Sequence, residues 1–160
     1  MILALELFVM LVLANGAPVV ARKLFGHRWS APVDGGRLWH DGRPLLGKSK
    51  TWRGVVTGTA SCGLFAMVAG IGGGFGFLFG ALGLLGDMLS SFIKRRRGLP
   101  ASARALWLDQ IPEAVLPMIL AFFWLPLGFW HAVAVVVLFT ASNILLSPVL
   151  YRLGIRHQPH

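Results

Sequence analysis

Asp87 is the residue of this chain that most clearly invites a chemical explanation. The sequence holds 15 Lys and Arg residues but only 6 Asp and Glu residues, and Asp87 is the one charged residue from Gly54 to Ile93. An ionisable group in so apolar a stretch is costly in a membrane and marks a functional site by default. Helical spacing of 3, 4 and 7 residues places four polar side chains on one face: Asp87, Ser90, Ser91 and Lys94.

This polar face predicts a site for a metal ion and a phosphate. A carboxylate with neighbouring hydroxyls can hold Mg²⁺, and a lysine ammonium can bind a phosphate. The alternative is a structural ion pair, in which Asp87 is neutralised by Lys94 or by a nearby arginine. Residues 94–97, Lys-Arg-Arg-Arg, allow two interpretations as well. They can mark membrane topology and contact anionic lipid, or they can extend the phosphate site.

A second acid, Asp109, comes just before Ile111-Pro112-Glu113, where a helix is expected to start. Asp favours the N-cap because it accepts hydrogen bonds from free backbone N–H groups, and Pro fits the first turn. Asp109 is therefore a candidate for helix capping, for the functional site, or for both.

A third group of polar residues lies in the loop before the apolar stretch. Residues 42–49 formally match the P-loop pattern G-x-x-x-x-G-K-[ST]. We reject that fold, because the pattern needs a strand and a helix in an α/β sheet, which a 32-residue loop cannot build. The glycines still expose backbone N–H groups, and Lys48, Lys50 and Arg53 add positive charge. Residues 47–54 therefore predict a loop that binds a polyanion at the membrane surface.

The composition predicts the elements that carry these residues. Hydrophobic residues make up 56% of the chain and charged residues 13%, compared with about 25% charged in a soluble domain. The prediction is an all-α integral membrane protein with a single membrane domain, residues 1–160. Its apolar segments predict five transmembrane helices, which are 1–21, 54–70, 74–93, 111–127 and 130–150.

The distribution of charge predicts how these helices are oriented. With five spans, every Lys and Arg falls in loops 22–53 and 94–110 or in the C-terminal tail, all on the same side. The positive-inside rule makes that side cytoplasmic and the N-terminus external. Because the basic residues follow topology, a nucleic-acid partner is not expected. The single cysteine and the scattered histidines offer no zinc pattern.

Three stretches together resemble the CDP-archaeol synthase family, which belongs to the membrane cytidylyltransferases related to CDP-diacylglycerol synthase. They are DGRPLLGKSKTWRG at 41–54, GDMLSSFIKRRRGLP at 86–100 and LDQ at 108–110. The last two are similar to the S-x-x-K-R stretch and downstream Asp of the wider group, here Ser91, Lys94, Arg95 and Asp109.

The resemblance implies a reaction in which CTP and a lipid phosphate give a CDP-lipid and pyrophosphate, with Mg²⁺ as cofactor. The archaeal substrate is an unsaturated digeranylgeranylglyceryl phosphate. The matching motifs imply three groups of residues: phosphate contacts at Lys48, Thr51, Arg53, Lys94 and Arg95; metal ligands at Asp87 and Asp109; and weaker matches at Asn15 and Asp34. The wider group usually has two acids near its last motif, whereas Asp109-Gln110 offers one.

These expectations place the enzyme in the plasma membrane, with several spans and its site facing the cytoplasm. Oligomeric state stays open, and a homodimer is one arrangement. Two alternative functions remain. One is the same chemistry on diacyl phosphatidic acid, because apolar span surfaces do not identify a lipid. The other is a non-enzymatic lipid-binding protein, which should have no Mg²⁺-dependent affinity for a nucleotide.

Overall fold

The chain folds into α-helices, and a long loop, residues 26–51, joins the first two of them. A computed structural model describes residues 1–100 and 107–152, with side chains described as far as residue 145. Within that part, five helices follow one another: α1 Ile2–Phe25, α2 Trp52–Val68, α3 Gly73–Arg96, α4 Ile111–Trp124 and α5 Phe129–Arg152. The all-α prediction is confirmed. Residues 101–106 of the predicted loop 94–110, and 153–160 of the C-terminal tail, lie outside the described residues.

α3 extends past its predicted end. The predicted span stopped at residue 93, but the helix continues through Lys94, Arg95 and Arg96. Nothing in that segment breaks a helix before Gly98, whose φ of 73° favours glycine. Cations in the last turn also interact favourably with the negative end of the helix dipole. Lys94 and Arg95 are therefore helical residues, not loop residues as predicted.

The other boundaries shift for similar local reasons. α1 runs four residues past the predicted end and stops before Gly26, which has a φ of 55°. α2 starts two residues early because Thr51 caps it. α4 ends at Trp124 instead of 127, since Leu125 is extended ahead of Pro126.

α3 is the central helix of the bundle. It packs against α1, α2 and α4, while α5 packs against α1 and α4. The apolar core between them contains Leu7, Met10, Cys62, Phe79, Met118 and Phe139, each at most 3% exposed. The residues of α3 are thus held by contacts on several sides.

Glycines allow the backbones around α3 to approach closely. A Cβ on Gly76 would lie 2.5 Å from the carbonyl oxygen of Cys62, and one on Gly58 would lie 2.8 Å from that of Ala14. A Cβ on Gly80 would lie 3.0 Å from Cα of Thr59, whereas a Cβ on Gly72 would meet nothing within 4 Å. The tightest approach is at Gly86, where a Cβ would lie 2.2 Å from the carbonyl oxygen of Pro112 on α4.

By length and composition alone, two of the described helices could cross a membrane. They are α1 and α3, and each has 24 residues. At a rise of 1.5 Å per residue, each is about 36 Å long, compared with about 30 Å for the hydrocarbon core. α4 has 14 residues and is shorter than that core.

Candidate functional site

Asp87 pairs with a lysine from the long loop. Its Oδ2 atom lies 2.5 Å from Nζ of Lys50, and the two side chains are 32% and 18% exposed. The structural alternative foreseen for Asp87, a pair with Lys94 or an arginine, is therefore wrong about the partner. The carboxylate stands on the central helix, but its counter-ion comes from a residue 37 positions earlier in the chain.

The loop residue Asp34 fixes the turn that carries Lys50. Asp34 is 8% exposed, and its carboxylate accepts hydrogen bonds from the backbone N–H groups of Gly36, Leu46 and Gly47 at 2.9–3.0 Å. The N–H of Val33 donates to the carbonyl of Lys50 at 2.8 Å. The segment from Gly47 to Lys50 is thus held at both ends by residues 33 and 34.

The hydrogen bonds also change the acidity of Asp34. Its burial alone would raise the pKa of this carboxyl, but hydrogen bonds from Leu46, Gly36 and Gly47 favour the charged form. The net pKa is below its ordinary value. The structure therefore gives Asp34 a role in organising the loop, and its predicted contact with substrate stays untested.

Lys94 lies two helical turns beyond Asp87 on α3, and it forms a second ion pair with Asp109. Nζ of Lys94 lies 2.6 Å from Oδ1 of Asp109, and the side chains are 11% and 26% exposed. Ser90 helps to place Asp109, since its hydroxyl oxygen lies 2.6 Å from the carbonyl oxygen of Leu108. The N-cap residue of α4 is Gln110 and not Asp109, so the predicted capping role of Asp109 is wrong.

Arginines attach the loop to the end of α3. Arg43 donates through Nη1 to the carbonyls of Arg95 at 3.4 Å and Arg96 at 2.8 Å. In return, Arg96 pairs with Asp41 and donates to the carbonyl of Pro44 at 2.6 Å. These contacts join the loop to the helix that carries Asp87, so that the two elements form one site.

The remaining loop residues predicted to bind phosphate have different surroundings. The hydroxyl of Thr51 accepts a hydrogen bond from the N–H of Gly54 and so caps α2. Arg53 donates to the carbonyls of Gly26 and Arg28, just beyond α1. Lys48 is exposed in the turn before Lys50. Of these three side chains, Lys48 is the one that the structure leaves open to solvent.

Three predicted residues lie deeper in the bundle. Asn15 donates through Nδ2 to Oδ1 of Asn143 at 3.3 Å and so links α1 to α5. Arg95 is 6% exposed and donates through Nη2 to the carbonyl of Pro100. Ser91 is 4% exposed on the face of Asp87. The structure therefore does not place Asn15 in a described contact with the two lysine–carboxylate pairs.

The carboxylates of Asp87 and Asp109 fit a divalent cation by their chemistry. Both offer oxygen atoms, which Mg²⁺ prefers, and both are partly exposed. Among the described residues no group of three or more His, Cys, Asp or Glu side chains gathers around one point. Mg²⁺ usually takes one or two carboxylates together with water and substrate phosphates, and Asp87 and Asp109 can supply that number of carboxylates.

Sequence reasoning gave no site role to two residues that the structure makes important. They are Gly86 and Glu113. Glu113 is a buried carboxyl, 7% exposed, in the first turn of α4, and its Cα is a close neighbour of Gly86. Their positions in the sequence were the available signal, because Gly86 directly precedes Asp87 and Glu113 lies four residues after Asp109.

Comparison with known proteins gives the family. A family model described as CarS-like, CDP-archaeol synthase, matches residues 1–75 and 73–160. The chain is 34% identical over 167 residues to a CDP-archaeol synthase of Sulfurisphaera tokodaii, covering 99% of this chain and 95% of that protein. It is 42% identical over 111 residues to one of Hyperthermus butylicus, covering 61% of this chain, and it spans only 59% of that relative's length.

A solved structure agrees with these relatives. It is described as an intramembrane enzyme for archaeal membrane lipids biosynthesis, and it is similar to this chain with a TM-score of 0.68 and 32% sequence identity. The superposition covers 88% of this chain and 92% of that one. With a family model that matches along its length and a relative that it matches almost completely, the chain belongs to the CDP-archaeol synthase family.

Proposed function

We propose that this chain is a membrane enzyme that transfers the cytidylyl group of CTP to the phosphate of an unsaturated archaeal ether lipid. The products are a CDP-lipid and pyrophosphate. Membership of the CDP-archaeol synthase family supports this reaction. The observation that carries it is the pair of lysine–carboxylate contacts, Lys50–Asp87 and Lys94–Asp109, along the basic end of one apolar helix.

The reaction is a direct displacement. An oxygen of the lipid phosphate attacks the α-phosphorus of CTP, a new P–O bond forms, and the bond to the β-phosphate oxygen breaks so that pyrophosphate leaves. Positioning and charge neutralisation supply most of the catalysis in such transfers. Lys48, Lys50 and Lys94 bind and orient the phosphates. Asp87 and Asp109 would hold Mg²⁺, which neutralises developing negative charge when bound.

The fold offers a place for the apolar part of the lipid. A cavity of about 410 Å³ lies between α4 and α5, and its lining is almost wholly apolar. Residues that line it include Trp107, Ile111, Val136, Val137, Ala141 and Ile144. Trp107 is two residues from Asp109. A lipid whose hydrocarbon tail lies in this cavity therefore has its head group near the Lys94–Asp109 pair.

We also propose the orientation in the membrane. The cations in the last turns of α1 and α3, together with the long loop, face the cytoplasm, and the N-terminus and the α2–α3 turn face outward. Contacts of Arg53 with the end of α1 and of Arg43 with the end of α3 support a common side for these elements. The positive-inside rule assigns that side to the cytoplasm of the plasma membrane.

The first test is turnover of labelled CTP by the purified chain with Mg²⁺. Unsaturated ether-lipid phosphate and diacyl phosphatidic acid are offered in parallel. We expect CDP-lipid from the ether-lipid phosphate, since family membership favours that lipid. Product from phosphatidic acid alone would assign the chain to the diacyl reaction. A folded protein that neither binds CTP with Mg²⁺ nor forms product from either lipid would support the non-enzymatic alternative.

A further inference from the structure

We infer that Lys50 is an exchangeable counter-ion of Asp87. A divalent cation that binds Asp87 displaces the ammonium of Lys50, and this ammonium then moves to a phosphate of CTP. This inference rests on the proposed function, because it takes CTP and a divalent cation as ligands. It goes further in stating that the two ligands bind as a coupled unit, and in naming the side chain that couples them.

The contact between Lys50 and Asp87 is suited to exchange. It joins Nζ of Lys50 to Oδ2 of Asp87 at 2.5 Å, with both side chains partly exposed. A lysine ammonium is a compact charge on a flexible stem, so it can change partners by rotating its side chain. Lys50 also lies in the loop two residues after the exposed Lys48, which is one of the lysines proposed to bind the phosphates.

The ion pair between Arg96 of α3 and Asp41 of the same loop provides a contrast. Arg96 pairs with Asp41, donates to the carbonyls of Arg43 and Pro44, and lies over the ring of Phe92 with Cζ 5.2 Å from its centroid. Its planar group is therefore fixed by several partners at once. The pair at Arg96 is built to hold the loop in place, whereas the pair at Lys50 can be broken without dismantling the loop.

The charges explain why exchange couples the two ligands. A divalent cation and an ammonium cannot both contact one carboxylate oxygen without strong repulsion. A metal that binds alone must therefore displace Lys50 and leave a partly buried ammonium without its carboxylate. When CTP is present, its phosphates receive that ammonium. By linkage, CTP must then raise the affinity for metal by the same factor as metal raises the affinity for CTP.

The test measures metal binding by the full chain in detergent, without lipid, so that no turnover occurs. Mn²⁺ is the probe, its free concentration is followed by electron paramagnetic resonance, and its binding to CTP alone is subtracted from a protein-free titration. In Lys50→Gln we expect Mn²⁺ alone to bind about tenfold tighter than in the unmodified chain, a factor typical of coupled sites. CTP should then raise Mn²⁺ affinity much less than it does in the unmodified chain.

Lys48→Gln is the matched control, since it removes the same charge two residues away without touching Asp87. We expect it to weaken CTP binding and to change the affinity for Mn²⁺ alone by less than about twofold, the effect of a screened, exposed charge. An equal gain of Mn²⁺ affinity in both variants would reduce the effect to net charge and overturn the exchange. An unchanged affinity in Lys50→Gln would overturn it as well.

Lys50→Arg keeps the inference testable if Lys50→Gln does not fold. The guanidinium keeps the positive charge and binds a carboxylate through two N–H groups. We expect an affinity for Mn²⁺ alone at or below that of the unmodified chain, and a clear increase would contradict the exchange. Failure here is distinct from failure of the proposed function: an unmodified chain that makes CDP-lipid, but whose variants show no change in Mn²⁺ binding, keeps its function and loses only the exchange.

Discussion

Asp87 and Asp41 are both carboxylates paired with a cation from a distant part of the chain, yet they stand in different surroundings. Asp87 belongs to the central helix and faces the turn that carries Lys50. Asp41 lies in an exposed part of the loop and pairs with Arg96. The comparison separates a carboxylate proposed to act on substrates from one that attaches a loop to a helix.

Replacing Asp87 by Asn should remove a metal ligand while changing the side-chain shape very little. We expect Asp87→Asn to lower CDP-lipid formation by about 10²–10³-fold, the usual effect of losing one electrostatic contact to the transition state. Expression and unfolding temperature should stay close to those of the unmodified chain. In Asp41→Asn the loss should be no more than about fivefold, because an exposed ion pair contributes about 0–1 kcal/mol. Turnover of labelled CTP measures both, and near-normal turnover by Asp87→Asn would contradict the site.

Asp34 gives the loop a dependence on pH. The pKa of its carboxyl is lowered in the folded chain, because the hydrogen-bond donors favour the charged form against the effect of burial. The stabilisation is therefore present above the unfolded-chain pKa of about 4, and it is lost as the pH falls through the lower, folded value.

Amide hydrogen exchange at Leu46 and Gly47 measures this loss. Corrected for intrinsic rates, protection should be constant near pH 6 and fall below about pH 4. Asp34→Asn should have weaker protection throughout and no such acid transition, because the amide does not titrate in this range. The same fall in the variant would mean that another group controls the loop.

At the scale of helices, the contact between α3 and α4 depends on one glycine. A Cβ on Gly86 would meet the carbonyl oxygen and carbon of Pro112 at 2.2 and 2.4 Å, and these are backbone atoms that cannot rotate away. Gly83, one turn earlier, has its nearest neighbour at 3.6 Å, an ordinary contact distance. The two positions form a matched pair for testing how closely the helices must approach.

Gly86→Ala should force α3 and α4 apart, with a loss of about 3 kcal/mol in the free energy of unfolding, at the upper end of the range for overpacking. It should also lower turnover, since it moves Asp87 relative to Asp109. Gly83→Ala should change stability by less than about 1 kcal/mol. Thermal unfolding in detergent and CTP turnover are the measurements. Equal stability of both variants would show that the approach at Gly86 is not needed.

For the whole molecule, much of the architecture follows from the sequence because it depends on local pattern. Apolar segments and the glycines between them predict the helices, and spacing places Asp87, Ser91 and Lys94 on one face. The partner of Asp87 could not be predicted in this way. Lys94 is two turns away on the same helix, whereas Lys50 arrives only because Asp34 and Arg43 fold the loop back onto α3. Such contacts depend on tertiary structure, which a helical period does not contain.

The orientation of the whole chain can be tested with single cysteines. Ser49→Cys places an exposed thiol in the long loop. Gly74→Cys places one in the first turn of α3, directly after the α2–α3 turn, where a Cβ meets nothing within 4 Å. The native Cys62 is fully buried and serves as the unlabelled baseline. In sealed cells, a membrane-impermeant maleimide should label Gly74→Cys and not Ser49→Cys. The reverse result would invert the proposed topology.

The arginines and lysines that hold the loop against the helices have a consequence for the response to ionic strength. Of the 15 Lys and Arg residues, at least six are already engaged within the chain: Arg43, Arg53, Arg95 and Arg96 with backbone carbonyls, and Lys50 and Lys94 with carboxylates. Added salt screens exposed charges strongly and partly buried pairs weakly. The net charge of +9 therefore overstates how strongly salt acts on the site. The effect of added salt on nucleotide binding should therefore arise mainly at exposed cations such as Lys48.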